Sequence, residues 1–178
     1  MTDPRYVAIT MLDSTDKAVM SIKDRLAEHG YEAVIFQSSG GPAMGELAKA
    51  GMLVGAIDFI ACEPSDEQVD ALQLPRLVVP VCIEFSENDP PRVDVAQSIA
   101  RWLNQARNPV IVMVPTKGTK AQGRTFLRQL MESLSAKVQL ITIEADVNSS
   151  RFANRVADEF LQMVGGGVPA HQEGSSLA

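Results

Sequence analysis

Val34-Ile35-Phe36-Gln37-Ser38-Ser39-Gly40-Gly41-Pro42-Ala43-Met44-Gly45-Glu46-Leu47 reads as a buried strand that ends in two hydroxyls, breaks on a glycine pair and restarts as a helix. Pro42 falls in the first turn of that helix, where its missing N–H costs nothing because the first amides of a helix have no intrahelical partner. A strand that turns directly into a helix is one βα unit, and repeated units build a parallel sheet with helices laid over it. The same turn has the shape of an anion site: exposed backbone N–H groups, small side chains and the positive end of a helix dipole converge on Ser38, Ser39, Gly40 and Gly41. A plain βα turn also needs glycine, so the rest of the chain has to separate the two readings.

Working outward, short apolar runs alternate with longer amphipathic ones, and six units are countable. Tyr6 to Met11 is the first strand, and Asp13-Ser14-Thr15-Asp16 offers caps for a helix whose buried stripe is Val19, Ile22 and Leu26, ending at His29-Gly30. Ala33 to Phe36 is the second strand, and the helix after the glycine turn ends near Ala50-Gly51. Gly55 to Ala61 is the third strand, with Pro64-Ser65-Asp66 capping a short helical segment through Leu72. Leu77 to Ile83 is Val-rich with little alternation, as expected of a strand covered on both faces. After a polar stretch, Ser86 to Arg92, a helix carries Val95, Ile99, Trp102, Leu103 and Ala106, all read as core. Pro109 to Val114, a helix burying Phe126, Leu127, Leu130, Met131 and Leu134, the strand Val138 to Ile143, and a helix with Phe152, Val156, Phe160, Leu161 and Val164 complete the series. Thr15, Ser65 and Ser149 are read as ordinary helix caps. The expected organisation is one α/β domain over 1–164 and a flexible Gly/Ser-containing tail over 165–178. The expected fold is a single open, mostly parallel six-strand sheet with helices on both faces, Rossmann-like or flavodoxin-like.

Composition narrows the function classes. With 178 residues, 46% of them hydrophobic, the chain fills one core, and 16 Lys plus Arg against 22 Asp plus Glu give a net charge of -6. That balance argues against general nucleic-acid binding and against an anionic membrane surface, while leaving room for a local basic pocket. No apolar run reaches membrane-spanning length, and Met1 to Arg5 lacks an apolar leader core, so a cytoplasmic location is expected. Cys62 and Cys82 sit in apolar contexts without metal-ligand spacing and are read as reduced core residues; no metal site is expected.

In such a fold ligands sit outside the carboxyl ends of the strands, where the strand order reverses. The loops converging there carry Asp13, Ser14 and Thr15; Ser38, Ser39, Gly40 and Gly41; Glu63; Glu84; Thr116, Lys117, Gly118 and Thr119; and Asp146 with Asn148. Ser38 to Gly41 and Thr116 to Thr119 are the candidate anion-binding groups, with Lys117 as a point charge, and Asp13, Ser14, Thr15, Glu63, Glu84, Asp146 and Asn148 are polar groups able to orient a ribose or a cation. There is no Walker loop, no GxGxxG after the first strand and no GxSxG elbow. His29 lies at a helix C-terminus and His171 in the tail, so a histidine base for a Ser or Cys nucleophile is missing, and whether any reaction is catalysed stays open.

The ordered series Tyr6-Val7-Ala8-Ile9-Thr10-Met11, Gly30-Tyr31-Glu32, Phe36 to Leu47, Gly55-Ala56-Ile57-Asp58-Phe59 with Glu63, Arg101-Trp102-Leu103-Asn104, Asn108-Pro109-Val110, Pro115 with Gly118, Ala145-Asp146-Val147-Asn148 and Phe152-Ala153 resembles the second, C-terminal half of the Tm-one-like proteins, in a shortened form. That family takes its name from a tomato mosaic virus resistance protein, carries two Rossmann-like halves and is described as ATP-binding. Gln37 stands where the family has histidine, Pro42 where arginine is usual, the glycine loop is about two residues shorter, and the segment after the third strand has shrunk to Pro64 through Pro75. The resemblance implies a ligand-binding or assembly module that completes a small-molecule site with another chain, either a second copy in a homo-oligomer or a separate homologue of the N-terminal half in a heteromer. It also implies ATP or another phosphate-bearing ligand, with magnesium, as the cofactor to expect. The alternative is an enzyme acting on a phosphorylated or carboxylated small molecule at the same edge, with Asp13, Glu63 or Asp146 in acid, base or metal roles. A receiver-like signalling domain is the third reading, weakened by Glu63 where an aspartate would accept phosphoryl.

Overall fold

The computed structural model describes residues 5–37, 41–61, 74–81 and 93–165. Within them the strands are β1 (Arg5–Met11), β2 (Tyr31–Gln37), β3 (Leu53–Ile60), β4 (Arg76–Pro80), β5 (Val110–Pro115) and β6 (Val138–Ile143). The helices are α1 (Asp16–Glu28), α2 (Gly41–Lys49), α3 (Val93–Leu103), α4 (Ala121–Ser133) and α5 (Ser150–Gly165), with a single 3-10 turn at Asp13–Thr15. The segments Pro64 to Leu72 and Ser86 to Arg92, both cysteines, and the stretch beyond Gly165 lie outside the described residues.

All six strands form one open sheet in the order β2-β1-β3-β4-β5-β6, and every neighbouring pair is parallel. This is the flavodoxin-type order with a sixth strand added, and the order reverses between β1 and β3. The first-half sequence folds this way because its two apolar strands are joined by an amphipathic helix, and such a unit crosses over right-handedly onto one face. Val19, Ile22 and Leu26 are fully buried on α1, as their spacing predicts, and the left-handed Gly30 (φ 80°) and Gly51 (φ 70°) end α1 and α2.

Side chains alternate across the sheet. One face carries Val7, Ile9, Ile57, Phe59, Leu77, Val79, Ile111 and Met113 under α1 and α5. The other carries two separate apolar clusters, Ala8 and Ala56 beneath Met44 of α2, and Val78, Val110, Val112 and Val114 beneath α3 and α4. Helix α5 leaves the β6 edge yet packs on α1 and touches β3 and β4, so it runs back across the middle of the sheet. Where it crosses β3, a Cβ added to Gly55 would lie 2.8 Å from Phe160 Cζ and 2.9 Å from the Pro75 carbonyl oxygen. Glycine is required there by the close approach of helix and backbone.

Trp102 is core as read, but Met131, read as part of α4's buried stripe, is 56% exposed. Helix α4 turns inward along Gly123, Phe126 and Leu130, and Met131 is one residue past that line.

Candidate functional site

The carboxyl edge begins with the β1–α1 turn. The Thr15 hydroxyl accepts the Leu12 N–H at 3.1 Å and donates to the Leu12 carbonyl at 2.9 Å, so Thr15 closes the turn on itself and is completely buried. It therefore does not cap α1, contrary to the local reading of its hydroxyl. The cap arrives from the far end of the chain. Asn148 Oδ1 accepts the Ala18 N–H at 3.2 Å, the third amide of α1, while its Nδ2 donates to the Ser14 carbonyl at 2.7 Å. Asp146 Oδ1 accepts the Asn148 N–H at 2.9 Å and so holds that residue in place. Ser149 does cap its own helix, accepting the Phe152 N–H at 3.2 Å.

To bring Asn148 beside α1, the β6–α5 connection has to travel three to four strand spacings, roughly 14–19 Å at ~4.8 Å each. Ala145 and Val147 are buried in the same apolar cluster as α1 and α5. The connection thus walls the α1/α5 side of the carboxyl edge.

In the β5–α4 loop, the Thr116 N–H and hydroxyl both donate to the Ile143 carbonyl, at 2.9 and 3.2 Å. The Thr119 hydroxyl donates to the Thr116 carbonyl at 2.7 Å. Gly118 has φ 75°, a left-handed turn that leaves Lys117 and Gly118 at the surface. Lys120 is the N-cap residue of α4 and makes no side-chain cap. Asp13, Ser14 and Asp146 are exposed. The structure therefore joins the Asp13–Thr15 turn to Asp146 and Asn148, and joins Thr116 to the end of β6. Among the described residues, no hydrogen bond links Lys117–Thr119 to Asp13–Thr15. Gly41 opens α2, while Ser38, Ser39, Gly40, Glu63 and Glu84 lie outside the described residues.

The sequence reading missed a buried polar cluster just inside the point where the strand order reverses. Asp58 and Arg76 are fully buried, with Arg76 Nη1 2.9 Å from Asp58 Oδ2, and the Thr10 hydroxyl donates to Asp58 Oδ1 at 3.1 Å. The Arg76–Asp58 approach is an ion pair by distance, while among the described residues no well-aligned hydrogen bond reaches Oδ2. The Arg76 guanidinium also lies over the Trp102 ring, 5.5 Å from its centroid. A charged residue at the start of a Val-rich run was the only local signal. Elsewhere Asp158, hydrogen-bonded to Arg25 at 2.7 Å, raises the arginine's pKa and ties α1 to α5.

Two clefts open at the opposite, amino end of the sheet. One of about 380 Å³ is lined by Pro109, Lys137, Gln139, Glu159, Gln162 and Met163, among others. The second, about 300 Å³, is lined by Arg5, Lys23, Tyr31 and Glu32, with Arg5 stacked over Tyr31 at 5.7 Å. Among the described residues no group of three or more His, Cys, Asp or Glu could hold a metal ion, and no helix is long and apolar enough to cross a membrane.

This strand order and walled edge define an open, all-parallel α/β protein of the flavodoxin-like class. Residues 4–74 match the Uncharacterised protein family (UPF0261) C-terminal domain. The chain is 25% identical to the ToMV resistance protein Tm-1 of Solanum lycopersicum, over 88% of this chain and 28% of that protein. It is 22% identical to a UPF0261 protein of Clostridium tetani, over 89% of this chain and 53% of the relative. The domain match and both relatives support a likeness to the C-terminal domain of a Tm-1-like family. The chain spans about a quarter of the tomato protein's length and about half of the clostridial one. Among solved structures, the trehalose repressor from Escherichia coli overlaps 93% of this chain and 94% of that chain at 14% identity and a TM-score of 0.43. At that TM-score the overlap carries no inference about function.

Proposed function

We propose that this chain is a ligand-binding or assembly module whose carboxyl-edge site is completed by another chain, with ATP–magnesium the first ligand to test. The reading places it in the cytoplasm, where nucleotides are abundant. The observation that supports it best is the walled edge. Asn148 and the β6–α5 connection close the α1/α5 side, and Thr116 and Thr119 donate their hydroxyl protons to backbone carbonyls. Beyond the exposed Asp13, Ser14 and Asp146 on the walled side, the described part of the edge offers only Lys117 and the start of α2, too few to enclose a nucleotide alone. The family's longer relatives, of which this chain spans 28% and 53%, supply the precedent for further protein beside this domain.

The test is thermal stability against ATP–magnesium, sugar phosphates and divalent ions, for the chain alone and mixed with a homologue of the family's N-terminal half. A ligand at a hundred times its dissociation constant stabilises by roughly 2.7 kcal/mol. The expected result is a shift with the mixture that exceeds the shift for the chain alone. No shift in either setting, together with no complex by light scattering, rejects the proposal.

A further inference from the structure

Two exposed helix faces on opposite sides of the sheet carry matching patterns. The outward side of α1 presents Lys17, Met20, Asp24 and Glu28 at three- and four-residue steps. The outward side of α4 presents Arg124, Arg128, Met131 and Glu132. Met20 (48% exposed) and Met131 (56%) are two of the three exposed large hydrophobics among the described residues. Set antiparallel with Asp24 against Arg128, the two helices bring Glu28 to Arg124, Met20 to Met131 and Lys17 to Glu132. At 1.5 Å rise per residue, the first three pairs coincide within ~1.5 Å and the fourth within ~4.5 Å, inside the reach of a lysine. Four matched positions in one register, with both signs of charge and the apolar pair in place, are more than a generally charged surface provides.

The groups are available. Among the described residues the ion pairs are Arg25–Glu28, Arg25–Asp158, Arg76–Asp58 and Arg155–Glu159. Glu28 is held only loosely, at 3.8 Å, and Asp24, Arg124, Arg128, Lys17 and Glu132 are in none of them. Arg124 spends one N–H on the Thr119 carbonyl. Lys23 and Lys120 flank the two stripes and are not needed for the pairing.

We propose that α1 of one copy packs antiparallel on α4 of the next. Helix α1 covers one face of the sheet and α4 the other, so the same dyad cannot satisfy both contacts. The contact is heterologous, and repeating it gives a ring or an open row of copies rather than a closed two-fold dimer. The inference rests on the assembly reading above and names a second copy as the partner. Its ion pairs are exposed, so the association is weak and sensitive to salt.

Sedimentation equilibrium over a wide concentration range tests it. The wild-type mass is expected to rise past the dimer with no plateau there, whether a ring or an open row forms, and to fall back as salt approaches about 0.5 M. Asp24→Lys with Glu28→Lys, and separately Arg124→Glu with Arg128→Glu, should each weaken association roughly tenfold, and mixing the two variants should restore it because each then offers the other a matched face. Circular dichroism and the melting temperature check that these surface variants stay folded, and the salt titration needs no variant. A plateau at dimer, or association that ignores the charge swaps, overturns this contact while leaving self-assembly standing. A monomer at every concentration overturns it too, and if that monomer captures an acidic helical peptide through Arg124 and Arg128, α4 belongs to a foreign partner.

Discussion

On the α1/α5 side of the sheet Val7, Ile9, Ile57, Phe59, Leu77 and Val79 form an unbroken apolar layer, whereas on the α2/α3/α4 side Thr10, Asp58 and Arg76 part the apolar surface into two clusters. Adjacent residues of one strand, Ile57 and Asp58, belong to these two regimes. Apolar burial is non-directional and tolerates small shifts, but an ion pair with a hydroxyl donor does not. Thr10 and Asp58 are register partners between β1 and β3, and Arg76 stands beside Ala56 in the next ladder. A one-residue slip of β3 would turn Asp58 into the apolar layer, so the polar face ties down alignment where the apolar face ties down bulk.

Removing one charge should break this contrast hardest. Asp58→Ala removes the buried carboxylate that Arg76 Nη1 approaches at 2.9 Å and is expected to cost about 3–5 kcal/mol in urea unfolding. A loss below about 1 kcal/mol would mean that the pair is not desolvated as its burial implies. Replacing both partners by apolar side chains, Asp58→Leu with Arg76→Met, should return stability toward the wild-type value or above it, since the desolvation cost of this ion pair is removed with the pair. If the double variant is as unstable as the single one, packing rather than charge dominates the cluster. On the other face Ile57→Val should cost only about 0.5–1.5 kcal/mol, because one methylene is lost from a layer with many equivalent neighbours. A loss there as large as that of Asp58→Ala would erase the distinction between the faces.

Much of the architecture was legible because period carries it. The Val19–Ile22–Leu26 stripe, the unalternating Val-rich β4 and the limits of β6 follow from local spacing, and the structure agrees. Contacts between distant segments were not legible. Arg76 directly follows Leu74-Pro75, which reads as the end of a loop, and its partner Asp58 is adjacent only through a strand order that periodicity does not encode. The same blindness assigned the α1 cap to Thr15, the nearest hydroxyl, when Asn148 supplies it from another loop. Of the candidate site, the composition of the loops was readable, but whether a hydroxyl faces a ligand or a carbonyl was not. Thr116 and Thr119 look alike in sequence whether their protons go outward or, as here, back to Ile143 and Thr116.

The approach of Phe160 to Gly55 bears on the order in which the molecule comes into being. Strand β3 leaves the ribosome roughly a hundred residues before the ring that packs against its glycine, a wait on the order of ten seconds at ordinary synthesis rates. Until then the apolar layer over β1, β3 and β4 lacks Phe152, Val156 and Phe160 and stays open to solvent. Native structure in the first half is therefore expected to be kinetically contingent on the last helix, and the interval before α5 docks is when the nascent chain is most exposed to misassembly.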